Sequence, residues 1–111
     1  MPYAVIAEWS AGGHDTGNYD EVTRRMDIDR EPPAGLIVHS AGATPEGGFR
    51  ICDVWETREA YEIFEAERIR PTVDAVLSEL PPERRPAQRA PRVSVYALHN
   101  LLVAAPAAIG R

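Results

Sequence analysis

The chain has 111 residues, a formal net charge of −5 and a single cysteine, Cys52. That length makes one domain around one core, burying only about two-thirds of the surface its unfolded chain exposes. A negative balance with scattered basic residues argues against a nucleic-acid or anionic-membrane surface, a lone cysteine excludes an internal disulfide or a cysteine-based zinc cluster, and no apolar stretch reaches the ~18–20 residues of a membrane span.

The first residues, Met1-Pro2-Tyr3-Ala4-Val5-Ile6, run straight into a strand-like segment without a basic n-region, as expected of a cytoplasmic protein. In the strand predicted over 3–9, Tyr3, Val5, Ala7 and Trp9 share one side and Ala4, Ile6 and Glu8 the other. A Gly-rich loop over 10–18 ends in Asn18, which is suited to cap a helix starting at Tyr19. Tyr19, Val22 and Met26 then fall on one stripe, and Pro32-Pro33 stops the helix. Gly35 opens a second strand over 36–41, with Leu36 and Val38 on one side and Ile37, His39 and Ala41 on the other. A hairpin loop over 42–48 leads to a third strand over 49–56.

Thr57 is the expected cap of a second helix, with Glu59 in its first turn complementing the helix dipole. Ala60, Ile63, Phe64 and Glu67 share one side, and Pro71 should break or kink the helix just before it. A helical run resumes with Val73, Val76, Leu77 and Leu80. The Pro- and Arg-rich stretch over 81–91 reads as a solvated connection, a last strand covers 93–101, and an Ala-rich tail covers 103–111.

The order β-α-β-β-α-β is an α+β, ferredoxin-like arrangement: one domain over 1–111, core at 3–102, with a four-stranded antiparallel sheet in the order 4-1-3-2 and both helices on one face. A sheet wetted on one face alternates cleanly between apolar and polar residues. The first three strands carry apolar residues on both sides, so both faces should be covered. One chain supplies helices for one face, and a second copy is the expected cover for the other.

Several segments resemble the dimeric α/β-barrel superfamily: Tyr3-Ala-Val-Ile-Ala-Glu-Trp9, Gly35-Leu-Ile-Val-His39-Ser-Ala-Gly42, the 49–55 strand leading into Glu59-Ala-Tyr-Glu-Ile-Phe64, and Tyr96-Ala-Leu-His99-Asn100. Within it the chain is most similar to small proteins related to the antibiotic biosynthesis monooxygenases. The resemblance covers about 3–102 and implies a homodimer that binds a small molecule. The superfamily includes cofactor-independent oxygenases, haem-degrading oxygenases, cyclases and isomerases. Its haem-degrading members hold iron with a histidine on the second helix, and this chain has none over 57–80.

His39 and His99 lie on otherwise apolar strand sides, where a modestly buried imidazole serves as a base; each equally suits a core histidine bonded to a backbone carbonyl. His14, in the Gly-rich loop, reads as solvated. Glu67 falls on the stripe that should face the sheet, where a carboxylate would be kept protonated and could move a proton; a bend at Pro71 would instead turn it to water. Asp53, beside Ile51 and Trp55, is a weaker case of the same kind. Trp9, Trp55, Phe64 and Tyr96 could line a flat aromatic pocket, with Asn100 beside Tyr96 to orient a phenol or ketone, or they could simply be core. His39, His99 and Glu67 lack the spacing of a metal site, and no phosphate-binding loop calls for a nucleotide cofactor. The resemblance implies a cofactor-independent oxygenase or a cyclase/isomerase acting on an aromatic or polyketide-like substrate, in which His39, His99 or Glu67 would move the proton. The alternative is a non-catalytic dimeric ligand-binding or stress-related protein.

Overall fold

A computed structural model describes residues 1–12, 16–83 and 90–104. His14, most of the connection expected over 81–91 and the end of the tail lie outside the described residues. The elements follow the expected order: β1 (Tyr3–Trp9), α1 (Thr16–Met26), β2 (Leu36–Ala43), β3 (Phe49–Trp55), α2 (Arg58–Phe64), a π-helical turn (Glu65–Ile69), α3 (Arg70–Ser78) and β4 (Arg92–Ala97). The four strands form one antiparallel sheet in the order β2-β3-β1-β4, the order expected from connectivity.

Pairing follows the alternation of β1. Val5 sits between Asp53 and Val95, and Ile6 sits between Cys52 and Ser94. The Val5 side carries the helices: Val5, Trp55 and Phe64 form the buried centre, with Met26, Leu36, Ala60 and Ile69 packed around it. Trp55 is fully buried between Tyr61 and Phe64, with ring centroids at 5.9 and 5.5 Å. Truncating a buried aromatic of this kind typically costs about 3–5 kcal/mol. On the opposite side Val38, Ile6, Val54 and Tyr96 lie on a face that no helix among the described residues covers; Val38 is 38 % and Tyr96 51 % exposed.

Three differences from expectation bear on the site. Helix α1 begins at Thr16, so Asn18 lies within it, and it ends at Met26 rather than at the prolines. Asp27 adopts φ 54°, a left-handed conformation that short polar side chains tolerate, and its N–H donates to the Thr23 carbonyl at 3.1 Å. Strand β4 stops at Ala97, so His99 and Asn100 lie beyond it and are exposed.

The third difference is at Pro71. Thr57 caps α2 as expected, its hydroxyl accepting from the Ala60 N–H at 3.1 Å. The break ahead of Pro71 is a π-turn, in which the Arg70 N–H reaches back five residues to the Glu65 carbonyl. A regular helix would leave the Glu67 carbonyl facing a proline ring and no donor; the wider turn absorbs that misfit. It also changes the helical phase. Core-facing positions run Ala60, Phe64, Ile69, the last step being five residues. Glu67, expected toward the sheet, is therefore exposed; Ile63, ahead of the turn and expected on the same side, is also exposed, at 57 %. Arg68 turns inward instead: it lies over the Phe64 ring at 5.2 Å and donates to the Met26 carbonyl at 2.6 Å, tying down the end of α1.

Gly35 links the helical layer to the sheet. It has φ +88°, its carbonyl accepts from the Glu56 N–H at 2.7 Å, and an added Cβ would lie 2.6 Å from the Ala60 Cβ. Gly35→Ala combines a disfavoured backbone with overpacking and should lower unfolding stability by about 1–3 kcal/mol. The urea midpoint reads it, with an unchanged denaturant slope showing that the folded state itself is the same.

Candidate functional site

The chemistry-bearing side chains meet at the outer strand β2. The β2–β3 register shifts between Leu36 and Val38, leaving Ile37 without a partner. Before the shift Leu36 pairs with Trp55 and points into the core; after it Val38 pairs with Val54 on the open face and His39 pairs with Asp53 on the helical face. Leu36 and Val38, expected on one side, are thus separated. Without the extra residue His39 would lie opposite Cys52 and face away from the helices. Bulges re-aim side chains in this way.

Asp53 is buried at 8 %, while the side chain of His39 is 27 % exposed at the edge of the sheet. His39 Nδ1 and Asp53 Oδ1 are 2.6 Å apart, and His39 Nε2 and the Tyr19 hydroxyl are also 2.6 Å apart. With the carboxylate at Oδ1, Nδ1 carries a proton and donates it. In the neutral ring Nε2 then accepts from the Tyr19 O–H. The hydrogen bond to Asp53 raises the His39 pKa, against the opposing effect of burial. Burial raises the Tyr19 pKa, and a hydrogen bond with Thr23 opposes that rise. The Tyr19 ring lies parallel to the imidazole, at 7° and 6.2 Å, and contacts Phe49 at 5.2 Å. A carboxylate, an imidazole and a phenol thus form a continuous hydrogen-bonded row between sheet and α1.

Of the residues expected to move a proton, only His39 enters this row. His99 lies past β4, at the far edge of the sheet, and Glu67 is exposed on the π-turn, so neither joins it. Among the expected pocket residues, Trp55 and Phe64 are core. Tyr96, opposite Ala4, is on the open face, and Asn100 lies outside the strand. Trp9 lines a cleft of about 480 Å³ with Ser10, Thr44 and Gly48, and its ring contacts Phe49 at 6.2 Å. Tyr19 was legible only as a member of the apolar stripe of α1. The available signal was its hydroxyl, since a partly buried phenol needs a partner. Among the described residues no three His, Cys, Asp or Glu side chains are grouped to hold a metal ion, and no helix is long and apolar enough to cross a membrane.

The His39–Asp53 pair sets a pH dependence of stability. Because His39 titrates higher in the folded state, its contribution is complete below the unfolded imidazole value of 6.5 and fades as pH rises through the folded value. The urea midpoint should therefore drop between about pH 5.5 and about pH 8.5. Asp53→Asn should flatten that drop. An equally steep drop in the variant would show that His39 gains nothing from the carboxylate.

No family model matches the sequence, and no curated protein matches it. Solved structures do match. The structure of Rv0793 from Mycobacterium tuberculosis superposes with a TM-score of 0.63 at 16% identity, covering 93% of this chain and 100% of that one. A variant of SnoaB, a cofactor-independent oxygenase from Streptomyces nogalater, gives 0.61 at 12% identity, covering 91% and 96%. A Caulobacter crescentus protein provisionally named an antibiotic biosynthesis monooxygenase gives 0.63 at 13% identity, covering 88% and 91%. The chain has the ferredoxin-like fold of the antibiotic biosynthesis monooxygenase-like proteins, as the sequence resemblance implied.

Proposed function

We propose that the protein is a small-molecule enzyme of the cofactor-independent oxygenase or cyclase/isomerase kind, taking a proton from an aromatic or polyketide-like substrate through His39. The observation that carries this reading is the carboxylate–imidazole contact at 2.6 Å, made by a buried Asp53 on the helical face of the sheet. A carboxylate at Nδ1 fixes the tautomer and ring orientation and stabilises the imidazolium formed when Nε2 takes up a proton. The electron pair left on the substrate makes a phenolate or enolate. Such an anion is reactive toward dioxygen in an oxygenase and rearranges in an isomerase. The buried Nε1 of Trp55, on the same face of β3 as Asp53, has no acceptor among the described residues. An orphan donor of this kind costs about 1–3 kcal/mol. The SnoaB likeness is in keeping with the reading at the level of fold.

The protein acts as a homodimer in this reading, a second copy covering the open face that carries Ile6, Val38, Val54 and Tyr96. One observation favours a non-catalytic ligand-binding protein instead: Trp55, Tyr61 and Phe64 pack against one another and fill space that a substrate would need.

Two measurements decide. Light scattering at micromolar concentration should give the mass of two chains, and a stable single-chain species would remove the dimer. At about pH 8.5, where the His39–Asp53 contribution to stability has faded, His39→Gln should reduce dioxygen uptake or product formation with a hydroquinone or polyketide-type phenol by ~10²–10⁴-fold while changing the melting temperature little. Activity that falls only in step with the melting temperature would mark His39 as structural.

A further inference from the structure

Both ring nitrogens of His39 are engaged, Nδ1 by Asp53 and Nε2 by Tyr19, each at 2.6 Å. A substrate can therefore pass a proton to this imidazole in only two ways: Tyr19 leaves, or the proton travels through the Tyr19 oxygen. Leaving would abandon the hydrogen bond to His39 and the ring contact with Phe49 at 5.2 Å. Staying costs nothing, because a phenol oxygen can accept one proton while giving up another.

We propose that Tyr19 is the catalytic residue that touches the substrate, handing its own proton to His39 Nε2 while it takes one from a phenol, hydroquinone or enolisable 1,3-diketone. The inference rests on the acid–base reading of His39 and adds the group in contact with substrate. In the forward step the substrate O–H or C–H bond breaks and its electron pair stays on the substrate. A new O–H bond forms at Tyr19 Oη as the old one breaks, and an N–H bond forms at Nε2. The imidazolium so made is held by the Asp53 carboxylate. The same row run backwards returns a proton to the product.

The chemistry of Oη selects the substrate class. Proton transfer is most efficient between groups of similar proton affinity, and a phenol matches other phenols and enols. Burial keeps Tyr19 protonated at rest. Phe49 packs between Trp9, at 6.2 Å, and Tyr19, at 5.2 Å, and so fixes the Tyr19 ring in position.

The test uses 4-nitrophenol, whose absorption differs between phenol and phenolate. At a pH below its own pKa, the wild-type protein should bind it with the phenolate band. Tyr19→Phe keeps the ring packing and removes Oη, and the bound probe should then stay neutral, as it should in His39→Gln. A phenolate band in Tyr19→Phe equal to or stronger than the wild-type one would make Tyr19 a plug on the base and overturn the inference, leaving the His39 reading intact. An undiminished band in His39→Gln, or no bound phenolate in the wild type, would overturn both. Thr23→Val leaves Oη in place and removes its hydrogen bond with Thr23, so the band should shrink in part. Should Tyr19→Phe not fold, an unchanged band in Thr23→Val overturns the inference.

Discussion

One unpaired residue in an edge strand decides which way the chemistry faces. Ile37 takes no partner across β2 and β3, and every residue after it is shifted by one place against β3. Because side chains on a strand alternate between faces, a shift of one residue inverts the relation between the two strands. The inversion puts His39 opposite Asp53 on the side covered by helices, where an imidazole at a carboxylate is partly sheltered from water. It also lets Leu36 serve the core and Val38 serve the open face, although only one residue separates them. The Tyr19 contact, the direction of the His39 pKa and the candidate site all follow from that register.

The helical layer that shelters the site depends on a second local misfit. Pro71 cannot donate a hydrogen bond, and the π-turn ahead of it resets the phase of the helix that carries Phe64 and Ile69. The reset delivers Arg68 rather than Glu67 to the inner side. A guanidinium is the better group to place there: it lies on the Phe64 ring and supplies donors to the Met26 and Glu31 carbonyls, at 2.6 and 3.1 Å, after the last turn of α1. Helix α1 contributes no buried residue of its own. Met26 packs against the core, Arg68 and the Arg25–Glu79 ion pair tie the helix to the rest of the helical layer, and Tyr19 reaches the sheet at His39.

The two faces of the sheet divide the work. The helical face holds Trp55 at the centre and the Asp53–His39–Tyr19 row toward the β2 edge. The other holds Ile6, Cys52, Val54, Val38 and Tyr96 beside the ion pairs of Glu8 with Arg50 and Arg92, and no helix among the described residues lies over it.

Alternation and helix spacing carry the order of elements, the strand order, the Thr57 cap and the identity of His39 as a base candidate, because each depends on residues within a few positions of one another. The both-sided apolarity of the first three strands is legible for the same reason. The bulge is not: nothing in Gly35-Leu-Ile-Val-His39 says which residue will go unpaired, since that depends on the partner strand and on Gly35 approaching Ala60. Pro71 announces a disruption but not its form, and the added phase of a π-turn exposes Glu67 where a regular helix would have turned it inward. Tyr19 and His39 are twenty residues apart with no spacing to connect them, and Asp53 looks like a minor polar exception on its strand. Only the folded sheet, with α1 laid across its β2 side, brings carboxylate, imidazole and phenol within hydrogen-bonding distance.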